Sequence, residues 1–191
     1  MFSEIENHNI NASGDFAGRD MHKYYGVKQT RLEKLFQRLT DEVENNKKIQ
    51  KTIEDIEHYK TVLDGTKGLE EKLSDGGFTT QEIANAARKK MKYAMKAEKY
   101  IFYESAQKID ALLFGEIKTS FDHYVTPLIT AGADKETIGR VLHEKVIAPL
   151  IAKIENDGAS DEKLCYNADD IDGMIYYLTG GCHINWKEYD L

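Results

Sequence analysis

The sequence predicts a mainly α-helical protein: a bundle of long amphipathic helices, preceded by a short β-hairpin-like segment and closed by a short extended segment. Three observations carry this expectation. Apolar residues recur every three to four positions from about Thr30 onward. Proline occurs at two positions only, Pro127 and Pro149, so long helices meet few interruptions. Polar capping residues stand just before the periodic runs, and glycines just after them.

Residues 1–27 read as a separate glycine-punctuated segment and residues 28–191 as the helical domain. In the first, Ile10, Ala12, Gly14 and Phe16 repeat with the period of a strand, and Gly14-Asp15 and Gly18-Arg19 read as turns. Gly14 and Gly18 tolerate positive φ, and Arg19 and Asp20 offer charge-assisted hydrogen bonds that fix a turn. A two-stranded arch buries too little to stand alone in water. It is expected to dock, either on the body of its own chain or edge to edge with a second chain, which would make a homo-oligomer.

The helical domain opens with Leu32, Leu35, Phe36, Leu39 and Val43 on one stripe. Asn45-Asn46 weakens the pattern, and Ile49, Ile53, Ile56, Tyr59, Val62 and Leu63 resume it, as one long helix or as two with a kink, up to Asp64-Gly65. Residues 66–74 predict a short helix ended by Asp75-Gly76-Gly77. Thr79 and Glu82 make a capping box, with Phe78 placed to staple toward Ile83. The stripe Ile83, Ala87, Met91, Ala94, Ile101, Ile109, Leu112, Leu113 then runs to about Tyr124, with Pro127 just beyond. A helix of ~45 residues would be ~65 Å long, so a break is expected near Tyr103–Gln107 or at Gly115.

Asp134 caps the next helix, which carries Ile138, Leu142, Val146, Leu150 and Ile154, is kinked at Pro149 and ends at Asn156-Asp157-Gly158. Asn167 and Asp169-Asp170 start the last helix, with Ile171, Met174, Ile175 and Leu178 on one face and Gly180-Gly181 as the stop. Cys182 to Trp186 reads as extended. Trp186 is expected to close the core because Ile184 shares its face.

Charge and composition narrow the function. A net charge of −7 repels phosphate at long range and disfavours nucleic-acid binding by the protein as a whole. The acidic start, Met1-Phe2-Ser3-Glu4, is unlike a secretory signal, and no run approaches the roughly 18 apolar residues of a membrane span. A cytoplasmic chain with free thiols at Cys165 and Cys182, and no membrane association, is the expectation.

The local exception is the basic run Arg88, Lys89, Lys90, Lys92, Lys96 and Lys99. Arg88, Lys92, Lys96 and Lys99 share one helix face, suited to phosphate or to an acidic protein. Interleaved Tyr93 and Tyr100 can stack on bases, so a nucleic-acid-binding accessory protein is the alternative function. The plain counterpart is a solvated helix face. Cys165, Cys182, His143 and His183 lack the paired spacing of zinc ligands, so no metal is expected. Cys182 and His183, adjacent on an extended segment, point apart and do not form a nucleophile–base pair. Asp169, Asp170 and Asp172 suit a helix N-terminus without chemistry. No cofactor loop or catalytic motif occurs, so the chain reads as a non-enzyme.

Two stretches carry a family resemblance. Residues 14–20, Gly-Asp-Phe-Ala-Gly-Arg-Asp, resemble the G-D-x-x-G-R-D signature near the start of many bacterial conflict-system modules. Residues 172–186, from Asp172-Gly173-Met174 to Ile184-Asn185-Trp186, resemble the ending of C-terminal-domain proteins of ABC-three-component systems. The resemblance implies a defence-system component accompanied by an ABC ATPase and a middle component. In that family the domain is commonly fused to an N-terminal effector such as a nuclease or peptidase. No effector precedes the motif here, which implies a stand-alone module that couples the ATPase to partner or effector proteins. The residues placed at its partner contacts are Gly14, Asp15, Phe16, Gly18, Arg19 and Asp20, with Arg88, Lys92, Lys96 and Lys99.

Overall fold

The computed structural model describes residues 28–63 and 67–187. The expected N-terminal hairpin, with Gly14, Asp15, Phe16, Gly18, Arg19 and Asp20, lies outside the described residues. Within them the protein is mainly helical: α1 Arg31–Glu44, α2 Glu54–Lys60, α3 Leu69–Asp75, α4 Thr80–Lys99, α5 Glu104–Ser120, α6 Thr126–Thr130, α7 Lys135–Leu142, α8 Ala148–Asp157 and α9 Ala168–Gly180.

Helix α1 forms as its stripe requires. The Thr30 hydroxyl accepts the Glu33 N–H, and Leu32, Leu35, Phe36 and Leu39 are buried. The second half of the expected run does not continue as helix through residues 45–53. Asn46 turns into the left-handed region at φ 50°. The Ile49 N–H donates to the Phe102 carbonyl at 2.8 Å, and the Ile53 N–H to Gln107 Oε1 at 2.7 Å. With those donors taken by α5 and its preceding turn, only the short α2 remains helical, and Val62 and Leu63 are exposed.

The capping box of α4 forms as expected, with the Glu82 N–H given to Thr79 Oγ1 and the Thr79 N–H to Glu82 Oε2. The phase of the α4 stripe differs from the one periodicity predicts. Ala86 and Tyr93 face the core, while Met91 is 62% exposed. The selecting contact is α9, which lies antiparallel on α4 and makes the most extensive helix pairing of the fold. Gly173 permits the approach, because a Cβ there would sit 2.5 Å from the Lys89 carbonyl oxygen and 2.7 Å from Tyr93 Cβ.

The α4–α5 break falls at residues 100–103, and Gly115 lies inside an unbroken helix. Tyr103 supplies no side-chain cap to α5. Glu42 of α1 takes that role: its two carboxylate oxygens accept the Ser105 N–H and hydroxyl, both at 2.9 Å, and Arg38 pairs with it at 2.8 Å. Helix α5 is buried nearly all round, against α1, α2 and α9.

Both prolines sit inside continuing helix. α5 passes through a π-helical turn at Phe121–Val125 into α6, which carries Pro127, so the helix does not end near Tyr124. A second π-helical turn, His143–Ile147, precedes Pro149 in α8. A wide turn re-registers the ladder and relieves the clash between a proline ring and the carbonyl of the preceding turn. The last helix ends at Gly180, and the segment after it is not extended. Cys182 adopts φ 66°, and the N–H groups of His183 and Ile184 return to the Leu178 carbonyl. These bonds cap α9 and so replace strand geometry. Trp186 closes the core as expected. It donates to Thr179 Oγ1 at 3.1 Å, and its ring meets the edges or faces of Phe78 and Phe121.

Candidate functional site

The basic face of α4 meets the N-terminus of α9. Lys96 Nζ lies 2.6 Å from Asp170 and also donates to the Cys165 carbonyl at 3.2 Å. Lys92 pairs with Asp169 at 3.2 Å, and Lys89 with Asp172 at 2.5 Å. Lys92 and Lys89 hold the Asp169 carboxyl below its ordinary range by direct hydrogen bonding. Arg88 is exposed and donates to the Ala84 carbonyl; Lys99 is exposed and lies over the ring of Tyr100. The four basic residues predicted to share a partner-binding face therefore divide into two that bind α9 and two that face outward.

Asn167 caps α9, and the Asp170 carboxylate closes the box by accepting the Asn167 N–H. Asp170 is sealed from solvent, and its Oδ1 has no partner among the described residues. Cys182 and His183 are buried. His183 Nε2 sits 3.0 Å from the Thr61 carbonyl, and burial lowers its pKa. Both thiols are free, with Cys165 exposed. No three His, Cys, Asp or Glu side chains gather as metal ligands among the described residues.

Among the concave features, two have mainly apolar linings. The first is an open groove of about 580 Å³ between α3 and α4. Its floor includes Leu69, Ala87 and Ala94, one wall carries Glu70 and Glu71, and the other carries Lys90 and Met91. Met91 and Met95, one turn apart, are 62% and 64% exposed. Met91, Ala87 and Ala94 belong to the stripe that periodicity assigns to the core, so the groove has no counterpart in the sequence pattern.

The second is a narrower cavity of about 330 Å³ bounded by α2, α4, α5 and α9. Tyr93, Tyr100, Phe114 and Tyr177 line it with the buried carboxyl of Asp110. Tyr166 donates to Asp110 Oδ1 at 2.5 Å. Burial raises the Asp110 pKa to about 6, against the lowering effects of Tyr166, Tyr93 and Lys60. Gln107 seals one end, accepting from Ile53 and donating to the Ile101 carbonyl.

The geometry defines a helical domain with two mainly apolar concave surfaces and a lysine–aspartate cluster that holds α4 and α9 together. The family model of C-terminal domain 9 of the ABC-three component (ABC-3C) systems matches residues 68–186, from the N-cap of α3 to Trp186, and the chain belongs to this family. No curated protein and no solved structure matches it. Among the described residues no helix is long and apolar enough to cross a membrane.

Proposed function

We propose that the chain is a non-catalytic interaction module of an ABC-three component system, coupling its ABC-type ATPase to partner or effector proteins. Its docking surface is the groove between α3 and α4, and the occupant is an amphipathic helix of another component of the system. The observation that carries this reading is the exposure of Met91 beside an apolar floor, with Met95 exposed one turn further along α4. Methionine on a surface adapts to the side chains placed against it, and a helix laid in a groove is anchored at one-turn intervals. Glu70 and Glu71 stand exposed on the α3 wall, so the incoming helix carries lysine or arginine along that edge. Residues 1–27 supply a second contact in the same assembly.

Co-expression of the full chain with the ATPase and middle component tests the reading. The three are expected to co-purify and co-elute. M91E/M95E is expected to release the chain while leaving its melting temperature within a few degrees, and M91L/M95L to retain it. Retention of the M91E/M95E chain at wild-type level would overturn the groove assignment. A wild-type chain that elutes alone in the presence of both components would overturn the coupling role.

A further inference from the structure

The cavity between α2, α4, α5 and α9 shares only Ala94 with the groove and carries its own chemistry. At about 330 Å³ it falls at the small end of ligand pockets, roughly 300–1,000 Å³. Four aromatic rings, of Tyr93, Tyr100, Phe114 and Tyr177, line it beside the aliphatic Ile56, Ala97 and Ile101. The rings of Phe114 and Tyr177 stack with an interplanar angle of 8° and centroids 5.6 Å apart, and Tyr93 meets both edge-on. One carboxyl, Asp110, faces this space and is itself only 7% exposed. A core that needed volume alone would fill the space with aliphatic groups and leave no ionisable residue in it.

We propose that this cavity binds a small organic cation, an ammonium group on an aromatic or aliphatic body of about the size of a phenylethyl group. The ammonium meets Asp110, and the body lies against the aromatic wall that Tyr93, Tyr100, Phe114 and Tyr177 form. Carboxylate and ring faces act together here, since the ring quadrupole attracts a cation within about 6 Å and a desolvated site strengthens both attractions. Glu98 stands exposed at the rim and attracts the same charge.

Lys60 lines the cavity too and is the internal competitor for Asp110. Burial lowers its pKa, while Asp110 on one side and Glu57 on its own helix both favour its charged form. Its flexible stem lets the ammonium turn to Glu57 and solvent when a ligand cation takes its place. The other groups that face Asp110 are Tyr166 and Tyr93, which donate toward it, and Tyr177. Both hydroxyl donors hold the carboxylate in place and leave it charged above neutral pH.

Titration calorimetry on the full chain with 2-phenylethylammonium chloride tests the proposal, with 3-phenylpropionate and 2-phenylethanol as anionic and neutral matches in shape. Saturable binding of the ammonium, at least tenfold tighter than either match, is expected. Affinity should fall severalfold as the pH drops from 7.5 to 5. Asp110→Asn should cost at least tenfold, Lys60→Met should tighten binding severalfold, and Ala97→Leu, which fills the cavity from α4, should abolish it. Circular dichroism melts identify any variant that fails to fold. Absence of saturable binding at 10 mM, equal binding of the three probes, or full binding by folded Ala97→Leu would each overturn the proposal. None of these outcomes bears on the α3–α4 groove, which is read by co-purification.

Discussion

Lys96 Nζ reaches across from α4 to lie 2.6 Å from a carboxylate oxygen of Asp170, a residue with no exposed surface at the N-terminus of α9. The pair joins the two helices that contact each other most extensively, and the same carboxylate also caps its own helix. Removing Lys96 leaves the sealed Asp170 carboxylate without its cation, a loss of about 3–5 kcal/mol. Lys96→Met is therefore expected to lower the urea midpoint strongly, with no change in slope. Lys96→Met combined with Asp170→Asn should recover part of the loss, because no uncompensated charge remains.

The outward half of the same basic face behaves differently. Arg88 and Lys99 are exposed; the first bonds to a carbonyl of its own helix and the second lies over the neighbouring Tyr100 ring. Charge reversal at both should leave stability within about 0.5 kcal/mol, as for ordinary surface substitutions. Loss of DNA retention at low salt in this stable double variant, from a wild-type chain that is retained, would favour the nucleic-acid alternative. A wild-type chain that never binds duplex or single-stranded DNA removes it.

The close approach of α9 to α4 depends on Gly173. A Cβ there would meet the Lys89 carbonyl oxygen at 2.5 Å and Tyr93 Cβ at 2.7 Å, and neither is the end of a flexible side chain. Gly173→Ala must push the helices apart, at a cost of about 1–3 kcal/mol or more. At Gly139 in α7 an added methyl would have nothing within 4 Å, so Gly139→Ala is expected to stabilise by up to about 1 kcal/mol. Opposite signs for the same chemical change, measured by chemical denaturation, check both.

The sequence made some of this visible and hid the rest for identifiable reasons. α1 is legible because its apolar stripe is one-sided and Thr30 caps it. α4 is legible in extent but not in phase. It carries small or apolar residues on two faces, Ala86 and Tyr93 on one and Ala87, Met91 and Ala94 on the other, and only the packing of α9 decides between them. The π-helical turns each end two residues before Pro127 or Pro149, so the prolines mark their places, but residue pattern does not show that the helix runs on through them. The buried polar groups do leave a signal. Glu42 lies three residues after Leu39, and Asp110 four after Ala106 and four before Phe114, so both occupy core register. A charged residue in core register marks a buried polar role: Glu42 caps the start of another helix, and Asp110 accepts from Tyr166.

Glu42 offers a direct check on that distinction. Its carboxylate satisfies the start of α5 from another helix, with two hydrogen bonds of 2.9 Å to Ser105. Glu42→Ala removes both and leaves a buried N–H and hydroxyl unsatisfied, at about 2–4 kcal/mol in total. Hydrogen exchange is expected to rise first at the amides of residues 104–107, since those donors lie in the turn that loses its cap.

Asp110 gives the clearest pH dependence. Burial raises its pKa from 3.8 to about 6, so the folded protein binds a proton that the unfolded chain has already lost across that interval. Stability from this group is therefore greatest below about pH 4, falls as pH rises through 6, and is level above. At roughly 1.4 kcal/mol per pH unit the displacement corresponds to about 3 kcal/mol. Carboxylates at Asp41, Glu82, Glu104, Asp134 and Asp169, whose pKa values are lowered, act in the opposite direction below about pH 4.5, and neutral His183 does so below about 6.5. The difference between wild type and Asp110→Asn isolates the one group. The asparagine oxygen still accepts from Tyr166, so the variant is expected to gain stability relative to wild type as pH rises from 4 to 7. A difference independent of pH over that range would show that the Asp110 carboxyl titrates normally and that its burial carries no penalty.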